Sequence, residues 1–323
     1  MRTIAVINQK GGCGKTTVSI NLAAVLAQHG RRTLLVDVDP QSHCALGLAV
    51  PDNQIEKHTG DLLRHGLDGS VAPDDIVWQV ARHLDLAPSG IGLAAIEQEL
   101  AGAPDRDRRL TQVLSTVQDR YDFCIIDCPP SIGLLTFNAL RAADEVIIPV
   151  ETGYFSMQGA VKQQATIDLL ARRVNHHARF KVLATMYDVR TKLAREILGE
   201  LKRQFGERLL PVVINFNSKL KEAASFGQPI TEYDPASRGM QDFERLCQWL
   251  LDNPPHEPAA GSEGQGDEAL QPASPMSPAM SRAAELVERA RALSTRSAAL
   301  SDRLSRDDDA RAEQDAGTAD FTP

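Results

Sequence analysis

Short apolar runs alternate with longer amphipathic stretches along residues 1–252. The runs are rich in Val, Ile and Leu, as expected of strands that are covered on both faces. Strands are predicted at Thr3–Asn8, Thr33–Val38, Leu84–Ala87, Phe123–Asp127, Glu145–Val150, Lys181–Met186 and Leu210–Ile214. Apolar positions between the runs recur with helical spacing, most clearly at Thr16–His29, Gln158–Arg173, Lys192–Phe205 and Gly239–Leu251.

This alternation predicts an α/β fold built on a doubly wound, mostly parallel sheet. Ligands bind at the carboxyl ends of the strands in such folds. The N-terminus lacks a secretory apolar segment, and no apolar run approaches the ~18 residues of a membrane span. We therefore expect a cytoplasmic protein. Its five scattered cysteines form no disulfide framework and are predicted to be reduced thiols. Cys124 and Cys128 lie in or beside an apolar run and complete no metal site, so they are predicted to be buried structural thiols.

The composition changes after residue 252. Residues 253–280 are rich in Pro, Gly, Ser and Ala and are predicted to be a disordered linker. Residues 281–306 repeat Leu every seven positions, which predicts a short amphipathic or coiled-coil helix, with a transient solvated helix as the alternative. Residues 307–323 are predicted to be a disordered acidic tail. Since most of the chain's net charge of −8 comes from residues 253–323, its acidity does not argue against a polyanionic partner for residues 1–252.

A glycine-rich loop follows the first predicted strand and leads into a helix. Its glycines let backbone N–H groups surround phosphate oxygens, and the helix N-terminus adds positive potential. Lys15 can reach the β- and γ-phosphates, and the Thr16 hydroxyl can ligate Mg²⁺. The ordinary pattern has Gly where this chain has Gln9, and Lys10 is an additional cation. The predicted nucleotide-binding loop comprises Lys10, Gly11, Gly12, Cys13, Gly14, Lys15, Thr16 and Thr17.

Two acidic motifs complete the predicted site. The run LLVDVDPQ places Asp37 and Asp39 at the end of the second strand. A later run, YDFCIIDCPPS, ends another strand at Asp127, which is predicted to hold Mg²⁺ through water. Strands often end in Asp, so each motif alone is weak. The order and spacing of all three motifs predict an ATP and Mg²⁺ site.

The loop KGGCGKTT resembles that of the ParA/MinD family, whose Walker A sequence deviates from the ordinary P-loop. The resemblance implies that Lys10 reaches across a dimer interface to the partner's nucleotide. It also implies that Asp39 positions or activates the attacking water and that Asp37 lies near the metal. The expected catalytic residues are thus Lys10, Lys15 and Asp39, and the expected metal site comprises Thr16, Asp37 and Asp127.

Three later stretches are similar to ParA/Soj chromosome-partitioning ATPases: LATMYDVRT from Leu183, KLKEAASFGQPI from Lys219 and YDPASRG from Tyr233. This similarity implies non-specific DNA binding by the ATP-bound dimer. The expected DNA-binding residues are Arg190, Lys219, Lys221 and Arg238. The family's IPRN segment, near the adenine, reads INFN here, so Asn215 and Asn217 are the expected adenine contacts.

The leading hypothesis is a nucleoid-associated ATPase that forms an ATP-dependent homodimer and positions a chromosome, plasmid or protein complex. A cargo-borne partner would stimulate its slow hydrolysis of ATP. One alternative is a MinD-like membrane-associated regulator, although the interspersed charges of residues 281–306 do not suit membrane binding. The other is a metabolic enzyme on the same fold. For an iron–sulfur reductase of that kind, Cys128 beside Asp127 is the suggestive feature.

Overall fold

The computed structural model describes residues 1–66, 70–153 and 178–255. The predicted helix Gln158–Arg173 lies outside these residues, as do the predicted segments 281–306 and 307–323 and most of 253–280. Eight strands are described: β1 Arg2–Val6, β2 Thr33–Asp37, β3 Trp78–Ala81, β4 Leu84–Ala87, β5 Phe123–Asp127, β6 Glu145–Glu151, β7 Arg179–Tyr187 and β8 Leu209–Asn215.

Ten α-helices lie within the same ranges. They are α1 Lys15–Gln28, α2 His43–Gly47, α3 Thr59–His65, α4 Leu93–Glu99, α5 Arg109–Ser115, α6 Leu134–Ala142, α7 Lys192–Phe205, α8 Ser218–Ser225, α9 Ile230–Tyr233 and α10 Arg238–Asp252. Short 3₁₀ turns occur at Asp52–Gln54, Pro73–Asp75 and Gly206–Arg208. None of the helices in the described ranges is long and apolar enough to cross a membrane.

The strands form one sheet in the order β3-β4-β2-β5-β1-β6-β7-β8. All neighbours are parallel except β3 and β4, which are antiparallel. Helices α1 and α10 pack on one face, where Leu22 and Phe243 are fully buried. Helices α3, α5, α6 and α7 cover the other face, where Leu110 and Ile197 are buried. The predicted doubly wound, mostly parallel sheet is confirmed.

Each of the seven predicted strands is present, with bounds that differ by no more than two residues at either end. Strand β3 was not predicted. It is a short, partly exposed edge strand, so it lacks the continuous apolar run that marks the central strands. The order of strands brings the carboxyl ends of β1, β2 and β5 side by side, and the predicted phosphate loop and acidic motifs follow those ends.

Candidate nucleotide and metal site

The loop between β1 and α1 has a backbone that requires glycine. Gly12 has φ 75° and Gly14, the N-cap of α1, has φ 92°. L-residues with a side chain are strained in this region, whereas glycine adopts it freely. The loop therefore turns tightly at the helix N-terminus, where backbone N–H groups and the helix dipole favour an anion.

Cys13 fills the interior of this loop. Its thiol is buried and donates to the Lys10 carbonyl at 3.2 Å, while its own carbonyl accepts from the Thr185 hydroxyl at 2.9 Å. Burial raises the pKa of the Cys13 thiol. The residue thus acts as a neutral packing group that ties the loop to β7.

The two loop lysines have different surroundings. Lys15 is 7% exposed, and its ammonium donates to the Lys10 carbonyl at 3.4 Å. The Lys10 side chain is 39% exposed and forms an ion pair with Glu151 at the end of β6. Lys15 therefore points within its own loop, whereas Lys10 lies at the surface of the subunit.

Asp37 and Asp127 lie opposite each other in the β2–β5 register, and both are fully buried. The two Asp127 oxygens accept from the hydroxyls of Thr16 at 2.7 Å and Ser19 at 2.8 Å. Asp37 accepts from the backbone N–H groups of Asp39 at 2.9 Å and Cys44 at 3.1 Å. Sheet register and the start of α1 thus bring together Thr16, Asp37 and Asp127, the three residues of the predicted metal site.

This cluster has the electrostatics of a cation site. Burial raises the pKa of both Asp37 and Asp127, and their mutual repulsion raises that of Asp37 further. The Cys44 thiol lies 3.6 Å from an Asp127 oxygen, and burial also raises its pKa. Asp37, Cys44 and Asp127 are the one group of metal-ligating side chains found in the described ranges, with ligand atoms within 4.8 Å of one another. A divalent cation would neutralise the carboxylates.

Asp39 lies beyond the end of β2, in the loop before α2. It is 6% exposed, and one of its oxygens accepts from the Gln41 N–H at 3.1 Å. This hydrogen bond fixes the carboxylate at the same sheet edge as the phosphate loop.

The two predicted adenine contacts both have partners within the fold. Asn215 ends β8, and its side-chain and backbone N–H groups donate to Asp242 at 2.8 Å each. Asn217 caps α8 by accepting from the Lys219 N–H at 2.9 Å. Between them, Phe216 is 63% exposed.

Similarity to known proteins identifies the family. A family model described as an AAA domain matches residues 1–180. The sporulation initiation inhibitor protein Soj of Bacillus subtilis is 41% identical over 78% of this chain and 99% of its own length. The chain belongs to the ParA/Soj family of P-loop ATPases. The chromosome-partitioning ATPase Soj of Treponema pallidum is a further relative, 38% identical over 77% of this chain and 97% of its own.

Solved structures with this fold include more than partition proteins. A cobyrinic acid a,c-diamide synthase from Mycobacterium smegmatis, with bound ADP and magnesium, is 30% identical over 78% of this chain and 94% of its own, with a TM-score of 0.66. A complex of Cyanothece McdA with ATP is 21% identical over 80% of this chain and 99% of its own, with a TM-score of 0.68. The latter likeness establishes the shared fold.

Three residues beside the site of this ParA/Soj protein were not predicted from the sequence: Ser19, Cys44 and Glu151. Ser19 follows the phosphate loop by one helical turn, so its spacing from Thr16 could have indicated a second hydroxyl on the same helix face. The contacts of Cys44 and Glu151 join segments that are distant in sequence, and no local pattern marks them. Cys128, the suggestive feature for an iron–sulfur enzyme, is fully buried.

Proposed function

We propose that this ParA/Soj ATPase is an ATP-driven positioning switch. ATP binding closes a homodimer, the dimer binds duplex DNA without sequence preference, and a cargo-borne partner stimulates slow hydrolysis and release. The cargo is a chromosome, plasmid or protein complex, and the protein works at the nucleoid in the cytoplasm. The observation that carries the proposal is the surface position of Lys10 beside a complete phosphate loop.

ATP and Mg²⁺ are the cofactors of this site, and its residues fit them. The loop from Lys10 to Thr17 would hold the phosphates, with Lys15 beside the β- and γ-phosphates. Thr16, Asp37 and Asp127 would hold Mg²⁺, and the buried like-charged pair gives a reason why the site takes a divalent cation. Bound Mg²⁺·ATP supplies the transferable phosphoryl group and neutralises charge that develops during transfer.

Three residues have separate roles in the proposed reaction. Lys15 stabilises the phosphate charge within its own subunit, and Asp39 orients the attacking water through its fixed carboxylate. Lys10 brings a second cation to the partner's nucleotide, where it stabilises charge that spreads in the transition state. Because that cation comes from the other subunit, hydrolysis and dimerisation are coupled.

Exposed apolar side chains at the same edge of the sheet support a dimer. Ile91, Ile132, Val189 and Phe216 follow the carboxyl ends of β4, β5, β7 and β8, and all are exposed. Exposed apolar side chains that gather at one edge are typical of surfaces that a partner covers. A second subunit that approaches this edge would cover them and meet Lys10.

The four predicted DNA-binding residues are all at least partly exposed. Arg190 is bound by both oxygens of Asp188, and Lys219 pairs with Glu222 at 2.7 Å. Lys221 and Arg238 have no ion-pair partner among the described residues. Their segments are adjacent, since a Cβ built on Gly239 would lie 3.0 Å from Leu220. Lys221 and Arg238 therefore form the better phosphate contact, which dimerisation would double.

The test is binding to non-specific duplex DNA, measured with ATP, with ADP and with ATP for the Lys10→Ala variant, over a salt series. Lys202→Ala is the matched control, because Lys202 is exposed at the far end of α7. We expect the wild type to bind DNA with ATP but not with ADP, and its affinity to fall steeply as the salt concentration rises. Lys10→Ala should not bind DNA with ATP. The control should bind like the wild type.

The opposite results separate the alternatives. ATP-driven dimers that never bind DNA would contradict the nucleoid model, and binding of those dimers to anionic vesicles would favour a MinD-like regulator instead. A protein that stays monomeric with ATP and consumes it only with a small-molecule acceptor would favour a metabolic enzyme.

A further inference from the structure

The ammonium of Lys10 is paired within its own subunit. Its partner is the carboxylate of Glu151, the last residue of β6. Strands β1 and β6 are neighbours in the sheet, so the loop after β1 lies directly beside the end of β6. The side chains of Lys10 and Glu151 are 39% and 30% exposed, so both reach the surface at which a second subunit would dock.

The backbones on both sides of this pair are held firmly. The Lys10 N–H donates to the Asn8 side chain at 2.6 Å, and the Asn8 amide donates to the Pro149 carbonyl in β6. Glu151 is paired in register with Thr185 of β7. Movement of the ammonium therefore requires only rotation about the bonds of the flexible lysine side chain.

The Glu151 carboxylate lies against the backbone at Gly153. A Cβ built on Gly153 would lie 2.9 Å from a Glu151 side-chain oxygen, so a larger residue here would make the flexible end of that side chain shift. The Glu151 carboxylate therefore lies close over the chain that leaves β6.

We infer that Glu151 is a positioning residue that holds Lys10 in its own subunit and competes with the partner's nucleotide for this ammonium. This inference rests on the proposed ATP-dependent dimer. One ammonium cannot stay beside Glu151 and also contact phosphates of another subunit. Each dimer therefore breaks two Lys10–Glu151 pairs. The γ-phosphate of ATP adds negative charge that ADP lacks, so Glu151 favours a switch that closes with ATP and not with ADP.

The size of the effect follows from the exposure of the pair. A partly exposed ion pair changes an equilibrium constant by no more than a few-fold. Since two pairs break in each dimer, Glu151→Gln should tighten the dimer by about tenfold. The gain should decrease with salt, because salt screens exposed charges.

The experiment measures the dimer dissociation constant by sedimentation velocity, with a non-hydrolysable ATP analogue and with ADP. The variants are Glu151→Gln, Lys10→Ala and the double variant Lys10→Ala/Glu151→Gln, and Glu151→Asp keeps the charge. Glu244→Gln is the matched control, since Glu244 is also a partly exposed glutamate with a side-chain partner, but it lies on α10 against His29. Melting temperatures verify that each variant folds.

We expect Glu151→Gln to form the tighter dimer, Glu151→Asp to lie between it and the wild type, and Glu244→Gln to match the wild type. The double variant should match Lys10→Ala, because the effect of Glu151 passes through Lys10. A Glu151→Gln dimer that is equal to or weaker than the wild-type dimer would overturn the inference and leave the proposed function intact. A double variant that dimerises more tightly than Lys10→Ala would also overturn the inference and leave the proposed function intact. A wild type that never dimerises with nucleotide would overturn both.

Discussion

Asp37 and Asp127 are register partners at the ends of adjacent strands, and solvent reaches neither carboxylate. Sheet geometry forces the two acids together, because parallel neighbours in register end at the same level. Two hydroxyl groups donate to Asp127 and two backbone N–H groups donate to Asp37, yet burial raises the pKa of both acids. Keeping both acids ionised in the folded protein therefore costs free energy, and a bound cation would offset that cost.

This cost predicts a specific pH dependence of stability in EDTA and without nucleotide. The folded-state pKa values are raised, so the folded protein binds more protons than the unfolded chain. The stabilisation that this extra proton binding provides is fully present below the unfolded-state pKa of 3.8. It is lost as the pH rises through the folded-state pKa values of the two acids. Asp127→Asn removes one acid and relieves the other. The free energy of unfolding of the variant minus that of the wild type should increase from about pH 5 to about pH 8, by on the order of 1–3 kcal/mol.

Urea denaturation at each pH measures this difference. The Asn side chain keeps only one of the two acceptor oxygens that the hydroxyls use, but that cost does not change with pH, so the slope is the informative quantity. Asp119→Asn, at an exposed site, should give a flat difference. A flat difference for Asp127→Asn as well would contradict the raised pKa values of the two buried carboxylates.

Asp39 offers a test of the catalytic assignment. Replacement by Asn keeps the size of the side chain and its acceptor for the Gln41 N–H, but removes the charge that we propose orients or activates the attacking water. We expect single-turnover hydrolysis to fall by about 10²–10⁴-fold, while ATP affinity changes little. Equilibrium binding of ATP and phosphate release measure the two quantities. A loss of ATP affinity as large as the loss of rate would instead assign Asp39 to nucleotide or metal binding.

The sequence predicted the parts of the fold that leave continuous patterns. Strands β1, β2 and β5 are buried on both faces, so their apolar runs are visible, and the motifs follow directly after them. Strand β3 carries no such run because it is an edge strand with partly exposed side chains. The site could be predicted to the extent that its residues stand next to these patterns, as Lys15, Thr16 and Asp127 do.

Contacts between distant segments could not be predicted in this way. Cys44 reaches Asp127 only because the start of α2 lies beside the ends of β2 and β5, and Glu151 reaches Lys10 only because β6 is the neighbour of β1. Either relationship depends on strand order, which a single sequence does not encode in any local pattern. The two asparagines near β8 illustrate the same limit, since their roles in holding α10 and α8 became visible only in three dimensions.

Arg2, near the start of the chain, is predicted to have a large effect on stability although it lies far from the nucleotide site. Arg2 is buried, pairs with Glu145 at 2.7 Å, and donates to the carbonyls of Leu250 and Asn253 at the end of α10. Arg2→Ala leaves the Glu145 carboxylate buried with Arg179 as a distant cation at 3.9 Å. We expect a loss of about 3–5 kcal/mol of unfolding free energy, measured by urea denaturation.

The double variant Arg2→Met/Glu145→Leu is the control for this loss. Replacing both charges with apolar groups removes the unpaired carboxylate, so most of the stability should return. If the double variant is as unstable as Arg2→Ala, then the hydrogen bonds from Arg2 to α10 matter more than the ion pair.

The four cations proposed to contact DNA differ in their surroundings. Arg190 and Lys219 each lie beside a carboxylate, and Arg190 holds the pKa of Asp188 down at about 2, so that acid stays charged. Such pairs reduce the positive potential that a phosphate would meet. Lys221 and Arg238 are exposed and have no ion-pair partner within the described part of the chain. We therefore expect Arg238→Ala and Lys221→Ala to weaken DNA binding more than Arg190→Ala or Lys219→Ala.

The salt dependence of binding measures how many DNA phosphates each variant still neutralises. Each neutralised phosphate contributes about 0.9 to the slope of log affinity against log salt. Because a dimer carries every residue twice, Arg238→Ala should reduce the slope by about 2 if both copies touch DNA. The neutral substitution Asp188→Asn tests the argument from the other side, since freeing Arg190 should strengthen binding. Equal slopes for all four alanine variants would mean that ion pairing within the monomer does not decide which cations bind DNA.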